Sequence, residues 1–399
     1  MNIGKKMFCR AYQWAFHAAL PLLPYREPKI LKSTDEIAGE IKRLGLKSTM
    51  IVTDEFMKKS GATESLELSL FSKGIKTVVY DKTRPNPTTE NVDEAMKIYF
   101  DEKLECLIAF GGGSAMDCAK AVGARVSYKG KSIDKLKGDL RIWKKLPPLF
   151  AVPTTAGTGS EVTVTAVITD PVKKHKYTMN SFPLIPHYAV LDAKNTYTLP
   201  PHLTATTGMD AMTHAVEAYI GRSTSRETRR LSEEAVKLVI ENIEKAYNDP
   251  ENYEARTNML HAAYKAGIAF SKSYVGYIHA VAHSLGGQYN TPHGLANSVL
   301  LPIGLEAYGE KVYKKLYLLA VKSGVASKDD SIEIGAKKFI AKIKELNKNM
   351  GIPQKISGII KEDIPKMAKH ADREGNPLYP VPVLMDKKEL EKFYYEVAE

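Results

Sequence analysis

Residues 105–126 read ECLIAFGGGSAMDCAKAVGARV. An apolar, strand-like run passes straight into three glycines and a serine, and a helical pattern begins on that serine. Glycine lets backbone N–H groups approach phosphate oxygens, and the N-terminus of the following helix adds a favourable dipole. Gly111, Gly112, Gly113 and Ser114 are therefore candidate phosphate-binding residues. Ser114 also reads as the cap of the helix, with Asp117 three residues on. The spacing is not G-x-G-x-x-G, and a tight turn into a helix explains the same residues.

The flanking chain repeats this pattern. TMIVT (49–53) ends just before Asp54, IKTVVYD (75–81) follows, and a helix is expected over 89–102 with Thr88, Thr89 and Asn91 as candidate caps. PLFAVP (148–153), VTVTAVITD (162–170) and HYAVLD (187–192) complete the strand-like runs. Strands alternating with helices indicate a mostly parallel sheet covered on both faces, with the loops that follow the strands gathered on one edge, where ligands bind. PTTAGTGSE (153–161) is a second Gly- and Thr-rich loop after a strand. Two such loops at adjacent strand ends point to a dinucleotide. Asp54, also at a strand end, can bond a ribose 2′-hydroxyl and repel a 2′-phosphate, which favours NAD over NADP. It precedes the glycine loop, the reverse of the usual order, and its bland reading is a helix cap.

From about Thr204 the texture becomes helical. RRLSEEAVKLVIENIEKAY, NMLHAAYKAGIAF, KKLYLLAVKSG and AKKFIAKIKELNKNM all show helical spacing. The expected organisation is an N-terminal amphipathic extension over 1–28, an α/β domain over 29–200 and an all-helical domain over 201–399. In the extension, Lys5 and Lys6 precede AYQWAFHAALPLLP, but Gln13, His17 and Pro21 interrupt the run and no small-residue cleavage site follows. An amphipathic helix packed on the body is expected there, not a signal peptide.

Composition bounds the function. The 399 residues are 44% hydrophobic and 26% charged, an ordinary globular balance that predicts two or three domains. Three cysteines, Cys9, Cys106 and Cys118, are too few and too scattered for a disulfide framework or a thiolate metal site, and suit a reducing cytoplasm. No apolar run is long enough to predict a membrane span. The formal charge of +11 is spread over helix faces, and no helix-turn-helix, zinc-finger or RNA-binding pattern accompanies it. Neither nucleic acid nor membrane is an expected partner.

Residues 270–302, FSKSYVGYIHAVAHSLGGQYNTPHGLANSVLLP, hold three of the ten histidines. His279 and His283, four apart, project from one helix face. His293 follows a Gly-Gly pair and a Thr-Pro turn, on a loop or at the start of the next helix. Upstream, GMDAMTHAVEAYI sets Asp210 and His214 on one face in the same way. A single histidine among alanines is more often a satisfied core residue than a ligand. An acid and several imidazoles so spaced can converge on one divalent cation.

Taken together, GGGSAMDCAK, PTTAGTGSEVT, TGMDAMTHAVEAYI and HAVAHSLGGQYNTPHGLAN resemble the iron-containing (group III) alcohol dehydrogenases, in that family's order and over about residues 29–380. The resemblance implies a Rossmann-like α/β dinucleotide-binding domain followed by a helical domain that holds one divalent metal. It puts the ligands on Asp210, His214, His279 and His293. His283 matches a histidine beside the substrate and outside the ligand set, although spacing alone would pair it with His279 on the metal. Asp54, Gly111 to Ser114, Asp117, Thr154, Thr155 and Thr158 match cofactor-contacting positions, and Lys176 matches a lysine near the nicotinamide ribose. The sequence also departs from the pattern. The family often reads F-S-N followed two residues later by Gly, where this chain has Phe270, Ser271, Lys272 and Tyr274. Asp372 stands where some members have Cys beside the substrate. Phe270, Lys272, Tyr274 and Asp372 are thus candidate pocket residues.

The reaction implied is reversible hydride transfer between NAD(H) and a primary alcohol or its aldehyde, with Fe(II) first and Zn(II) second as the metal. His283 is the candidate proton-transfer residue. Polyol (glycerol-type) oxidation and reduction of an anionic aldehyde are the alternatives on the same scaffold. The resemblance further implies a homodimer or larger homo-oligomer.

Overall fold

The computed structural model describes residues 1–19, 23–172 and 175–399. The chain forms two compact units. Pro24–Leu199 is the first, and Met1–Leu23 together with Pro200–Glu399 is the second.

The strands of the first unit are β1 (Lys29–Leu31), β2 (Ser48–Val52), β3 (Lys76–Tyr80), β4 (Cys106–Gly111), β5 (Gly138–Asp139), β6 (Leu149–Pro153), β7 (Thr165–Asp170), β8 (His175–Asn180) and β9 (Tyr188–Val190). Six of them form one sheet in the order β1-β9-β6-β4-β2-β3, every pairing parallel. Every residue of β2, β4 and β6 is buried, as a sheet covered on both faces requires. The period of two divides their side chains between two cores. Met50, Val52, Leu107, Ala109, Leu149 and Ala151 pack with Val92, Ala95, Met116 and Val122 from the helices Thr89–Asp101 and Gly113–Ser127. Ile51, Cys106, Ile108, Phe110, Phe150 and Val152 pack with Ile37, Ile41, Leu66 and Leu70 from the helices Glu36–Arg43 and Glu64–Ser72.

The strand order reverses between β2 and β4. From β2 the chain moves outward to β3, then returns to place β4 on the other side of β2. Ligands of open α/β sheets bind at the carboxyl ends of the strands beside such a reversal. Asp54 and Thr154 follow β2 and β6 there, and Gly111 ends β4.

Two expectations are corrected. VTVTAVITD does not join the parallel sheet. Its strand β7 pairs antiparallel with β8, and β8 pairs with β5, in a separate three-stranded sheet. Its alternating burial is that of a strand covered on one face. Ser114 is also not the cap. The helix begins at Gly113 with Gly112 as its N-cap, and the Ser114 hydroxyl in the first turn accepts the Asn86 N–H at 3.3 Å. Thr88 and Asn91, by contrast, form a capping box at the start of the 89–101 helix.

The second unit is helical. Its central helix, Pro201–Ile220, is buried along most of its length, from Thr204 onward. Gly208 lets the neighbouring helices close on it, since a Cβ there would stand 2.7 Å from Ile243 Cδ1 and 2.8 Å from Met259 Cε. The helix Ile3–Ala19 packs on this unit, where Gln13 is buried and donates to the carbonyls of Pro377 and Tyr379. Among the described residues, no helix is long and apolar enough to cross a membrane.

Candidate metal centre and dinucleotide loops

Three helices build the candidate metal centre. Asp210, His214 and Glu217 lie at i, i+4 and i+7 on one face of Pro201–Ile220. His279 is in the first turn of Tyr277–Tyr289, and His293 is the first residue of His293–Tyr308, which decides between loop and helix start for that residue. Asp210, His214, His279 and His293 each offer one ligand atom, and the four atoms lie within 4.8 Å of one another. Asp210 Oδ1 is 3.8 Å from His279 Nε2 and 3.5 Å from His293 Nε2, and the His214 and His279 rings stack with centroids 4.4 Å apart. The first three residues are buried, while His293 is partly open to solvent.

The donor set fits a divalent cation. His279 Nδ1 lies 2.6 Å from Glu217 Oε2. A carboxylate only accepts, so Nδ1 carries the hydrogen and Nε2 presents its lone pair. That Nε2 is buried without a hydrogen-bond partner. Leaving a buried polar atom so costs roughly 1–3 kcal/mol, and a cation among the four donors would remove the cost. Burial, and then the neighbouring His214, His293 and His283, hold His279 well below the usual histidine range, in the neutral form that ligates. One carboxylate and three imidazoles without thiolate suit Fe(II) or Zn(II).

Glu217 escaped the reading of the sequence. Its carboxylate also accepts the N–H groups of Gly276 and Ile278, each at 2.9 Å, and so caps the helix that carries His279. Burial pushes it up to about 7, while Gly276, Ile278 and His279 favour the anion. Gly276 is required by this contact, since a Cβ there would stand 2.5 Å from Glu217 Oε1. Asn297 is a second residue that was missed. Its amide donates to Asp210 Oδ1 at 2.7 Å and lies 3.1 Å from His293 Nε2.

Gly294 sets His293, the last candidate ligand, in place. A Cβ on it would stand 2.6 Å from the Thr206 carbonyl oxygen, backbone that cannot step aside. Gly294→Ala is therefore expected to push the start of the His293 helix off the 201–220 helix. The expected cost is about 1–3 kcal/mol of stability, with loss of tight metal binding. Thermal unfolding with and without added metal checks it, and an unchanged Tm and metal content would refute it.

His283 does not join the four ligands. Its Nδ1 is 2.6 Å from Glu374 Oε1, and its ring stacks on His293 with centroids 5.2 Å apart. The shared face of His279 and His283 therefore serves two different neighbours one helical turn apart. Of the pocket residues, Phe270 stacks on the His214 ring with centroids 4.2 Å apart. Lys272 instead pairs with Glu227 at 2.8 Å. Asp372 faces the N-terminal helix, with Lys5 Nζ at 3.1 Å and an Asn376 donor at 2.7 Å, and it is Glu374, two residues on, that reaches His283. Tyr274, in the position where the resembling family has glycine, takes φ 64° and ψ 175°. That region is essentially open only to glycine, and occupying it costs roughly 1–3 kcal/mol.

The dinucleotide loops belong to the α/β unit. Gly111 has φ 151°. A Cβ on it would meet Ala115 Cβ at 2.8 Å, and Asp54 Oδ2 lies 3.8 Å from the same point. Asp54 Oδ1 accepts the Met57 N–H at 2.9 Å, so one oxygen caps the Glu55–Lys59 helix while the other approaches the glycine turn. The second loop lies on the first. A Cβ on Gly113 would meet Thr158 Cγ2 at 2.9 Å, and one on Gly112 would meet Thr155 Cγ2 at 3.3 Å. Thr154 N–H donates to the Gly111 carbonyl at 3.0 Å. Thr155 Oγ1 is buried without a hydrogen-bond partner beside Gly112, and the first-turn N–H groups of the Gly113 helix have no intrahelical acceptor. A phosphate group fits such donors. Asp117 instead clamps the two loops, accepting from Ser160 Oγ at 2.8 Å and Val167 N–H at 3.0 Å. Lys176 Nζ donates to Asn86 Oδ1 at 2.8 Å, and Asn86 in turn donates its N–H to Ser114.

Comparison with known proteins identifies the family. The family profile described as iron-containing alcohol dehydrogenase matches residues 31–193, and the one described as Fe-containing alcohol dehydrogenase family, C-terminal, matches residues 204–397. The chain belongs to the iron-containing alcohol dehydrogenase family. Among its relatives, alcohol dehydrogenase 4 of Saccharomyces cerevisiae (strain YJM789) is 37% identical over 341 residues, 84% of this chain and 87% of that protein. The 1,3-propanediol dehydrogenase of Klebsiella pneumoniae is 37% identical over 350 residues, covering 85% and 89%. A crystal structure of 1,3-propanediol oxidoreductase superposes with a TM-score of 0.89 at 33% identity, over 94% of this chain and 99% of that one. Like other iron-containing alcohol dehydrogenases, the protein is an oxidoreductase that works with a metal and a nicotinamide dinucleotide.

Proposed function

We propose that the protein is an Fe(II)-dependent aldehyde reductase and primary alcohol dehydrogenase that uses NAD(H) in preference to NADP(H). The convergence of Asp210, His214, His279 and His293 from three helices carries this reading. When bound, the cation supplies a Lewis acid for a carbonyl oxygen, and the dinucleotide supplies or accepts the hydride.

The chain's own residues do the rest. Asp210, His214, His279 and His293 hold the cation, and Glu217 fixes the His279 tautomer. The N–H groups at 112–114 and the hydroxyls of Thr154, Thr155 and Thr158 bind the dinucleotide, with Asp117 holding the two loops together and Lys176 beside the ribose. Glu374 occupies His283 Nδ1, which leaves Nε2 to exchange a proton with the substrate oxygen through water or a ribose hydroxyl. In the reducing direction an aldehyde, the hydride of NADH and one proton give the primary alcohol and NAD⁺. Phe270 and Tyr274 line the pocket. Lys272 is already paired with Glu227, so an uncharged short aldehyde is favoured over an anionic one.

Asp54 carries the cofactor preference, because a carboxylate beside the glycine turn repels a 2′-phosphate. Asp54→Ala is expected to raise kcat/KM for NADPH relative to NADH by about tenfold, the equivalent of ~1.4 kcal/mol of lost repulsion. Initial rates with propanal and both cofactors test it, and an unchanged ratio would remove Asp54 from the account. The three free, buried cysteines support a reducing cytoplasmic setting. The family resemblance supports a homodimer or larger assembly, readable by light scattering.

A further inference from the structure

We infer that the N-terminal helix Ile3–Ala19 is a positioning element of the catalytic centre, holding Tyr379 and Glu374 in place against His283. The inference rests on the role proposed above for His283.

The helix is attached by directional bonds more than by buried area. Ile3, Met7, Phe8 and Trp14 are 78%, 69%, 61% and 73% exposed, whereas the polar Gln13 is 3% exposed. Gln13 Nε2 donates to the carbonyls of Tyr379 at 2.6 Å and Pro377 at 3.2 Å. The Arg10 guanidinium donates to the carbonyls of Val381 at 2.7 Å and Pro382 at 2.9 Å, and to Gln13 Oε1 at 2.8 Å. All four carbonyls belong to one short segment, residues 377–382. A helix that only covered apolar surface would bury its apolar face and leave the glutamine and arginine in water. Here two polar side chains grip one stretch of backbone.

That segment carries Tyr379, which bonds the glutamate that reaches the catalytic histidine. The Tyr379 hydroxyl donates to Glu374 Oε1 at 2.7 Å, and the same oxygen is 2.6 Å from His283 Nδ1. A second route runs through rings. Phe16, one turn beyond Gln13, meets Tyr274 edge-on with centroids 5.1 Å apart and planes at 89°. Tyr274 meets Tyr379 with centroids 6.1 Å apart and planes at 52°. Both separations lie within the range of attractive aromatic pairs. Tyr274 holds its ring between the other two from a backbone conformation that favours glycine. Such strain persists only where the surroundings over-determine the residue. The backbone route through Gln13 and the ring route through Phe16 therefore meet at Tyr379. Tyr379, Phe16 and Gln13 are positioning residues, because they act on the substrate only through Glu374 and His283, whereas Tyr274 also lines the proposed pocket.

The test compares Tyr379→Phe, Phe16→Ala and Gln13→Ala with the wild type, all loaded with Fe(II) and assayed with propanal and NADH. Trp14→Ala, on the exposed face of the same helix, is the control. The three variants are expected to lose about tenfold in kcat, with metal content and the KM for NADH unchanged. Phe16→Trp, which keeps a ring against Tyr274, is expected to keep the wild-type kcat, as is Trp14→Ala. Wild-type kcat and aldehyde KM in both Phe16→Ala and Tyr379→Phe would overturn the inference. So would a fall in kcat that only tracks lost metal, since that is general loosening of the fold. If Phe16→Ala does not fold, Tyr379→Phe, which removes one hydroxyl, decides alone. His283→Ala separates the two levels. Full activity in it would reject the proposed role of His283, whereas an inactive His283→Ala beside an unaffected Tyr379→Phe would reject the helix inference alone.

Discussion

His279→Ala is expected to abolish turnover and metal retention while leaving the chain folded. Its Nε2 is one of four candidate ligand atoms within 4.8 Å of one another. Lewis-acid stabilisation of a developing alkoxide contributes several kcal/mol. At ~1.4 kcal/mol per decade, its loss corresponds to a rate fall of about a thousandfold or more. The fold should survive for a specific reason. His279 Nε2 has no hydrogen-bond partner within the protein, so truncation removes an unsatisfied group along with packing and the Nδ1 bond to Glu217, which keeps the Gly276 and Ile278 N–H groups. What the variant loses is the increment that metal adds to the native state, about 4 kcal/mol when free metal is a thousandfold above its Kd. Thermal unfolding with and without Fe(II) reads this directly. The wild-type Tm should rise with metal, and that of His279→Ala should not. A variant that keeps both its metal and its activity would remove His279 from the centre.

Glu217→Gln is the second large effect, although Glu217 touches neither proposed ligand atom nor substrate. Oε2 accepts from His279 Nδ1 and Gly276 N–H, and Oε1 accepts from Ile278 N–H. Three donors need a group that accepts on both sides, and an amide accepts on one. If the new NH₂ faces His279, it also confronts the Gly276 N–H, Nδ1 must become the acceptor, and the proton moves to Nε2, the nitrogen that faces the other candidate ligands. If it faces Ile278, two N–H groups confront each other at a buried helix start. The first outcome costs roughly ten- to hundredfold in metal affinity. The second costs about 1–3 kcal/mol of stability for the unsatisfied group. Metal titration and thermal unfolding of the same sample read both. Wild-type values in each would show that the Glu217 contact is incidental. One buried glutamate thus both caps the helix that carries His279 and orients that imidazole.

Much of this architecture is legible in the sequence because the underlying signals are local. The apolar runs at 49–53, 106–110 and 149–153 are buried on both faces, and the Gly- and Thr-rich loops follow the last two directly. Asp210 and His214 share a helix face, so their spacing alone brings them together. The features that were missed arise from long-range contacts. Glu217 reads as an ordinary charged residue in THAVEAYI, and only its place at i+7 from Asp210 hints that it faces the same way. Glu374 and Tyr379 join His283 from about ninety residues away, which no periodicity encodes. The apolar content of 162–170 points to the parallel sheet, but the alternation of β7 is the mark of a strand with one covered face. His279 and His283 show the limit of spacing from the other side. Four residues apart they share a face, yet one turns to Glu217 and the other to Glu374, and those partners separate their roles. Tyr274 is legible only in combination. The departure from the family's glycine was visible, but its meaning required the backbone angle and the ring of Phe16.

The most direct test of the central claim is NADH oxidation by the Fe(II)-loaded protein with propanal, before and after treatment with a chelator. The account predicts one metal per chain, turnover that stops as the metal is withdrawn, and recovery when Fe(II) is returned. Undiminished turnover by protein shown to be free of metal would contradict it, because Asp210, His214, His279 and His293 would then converge without the role assigned to them.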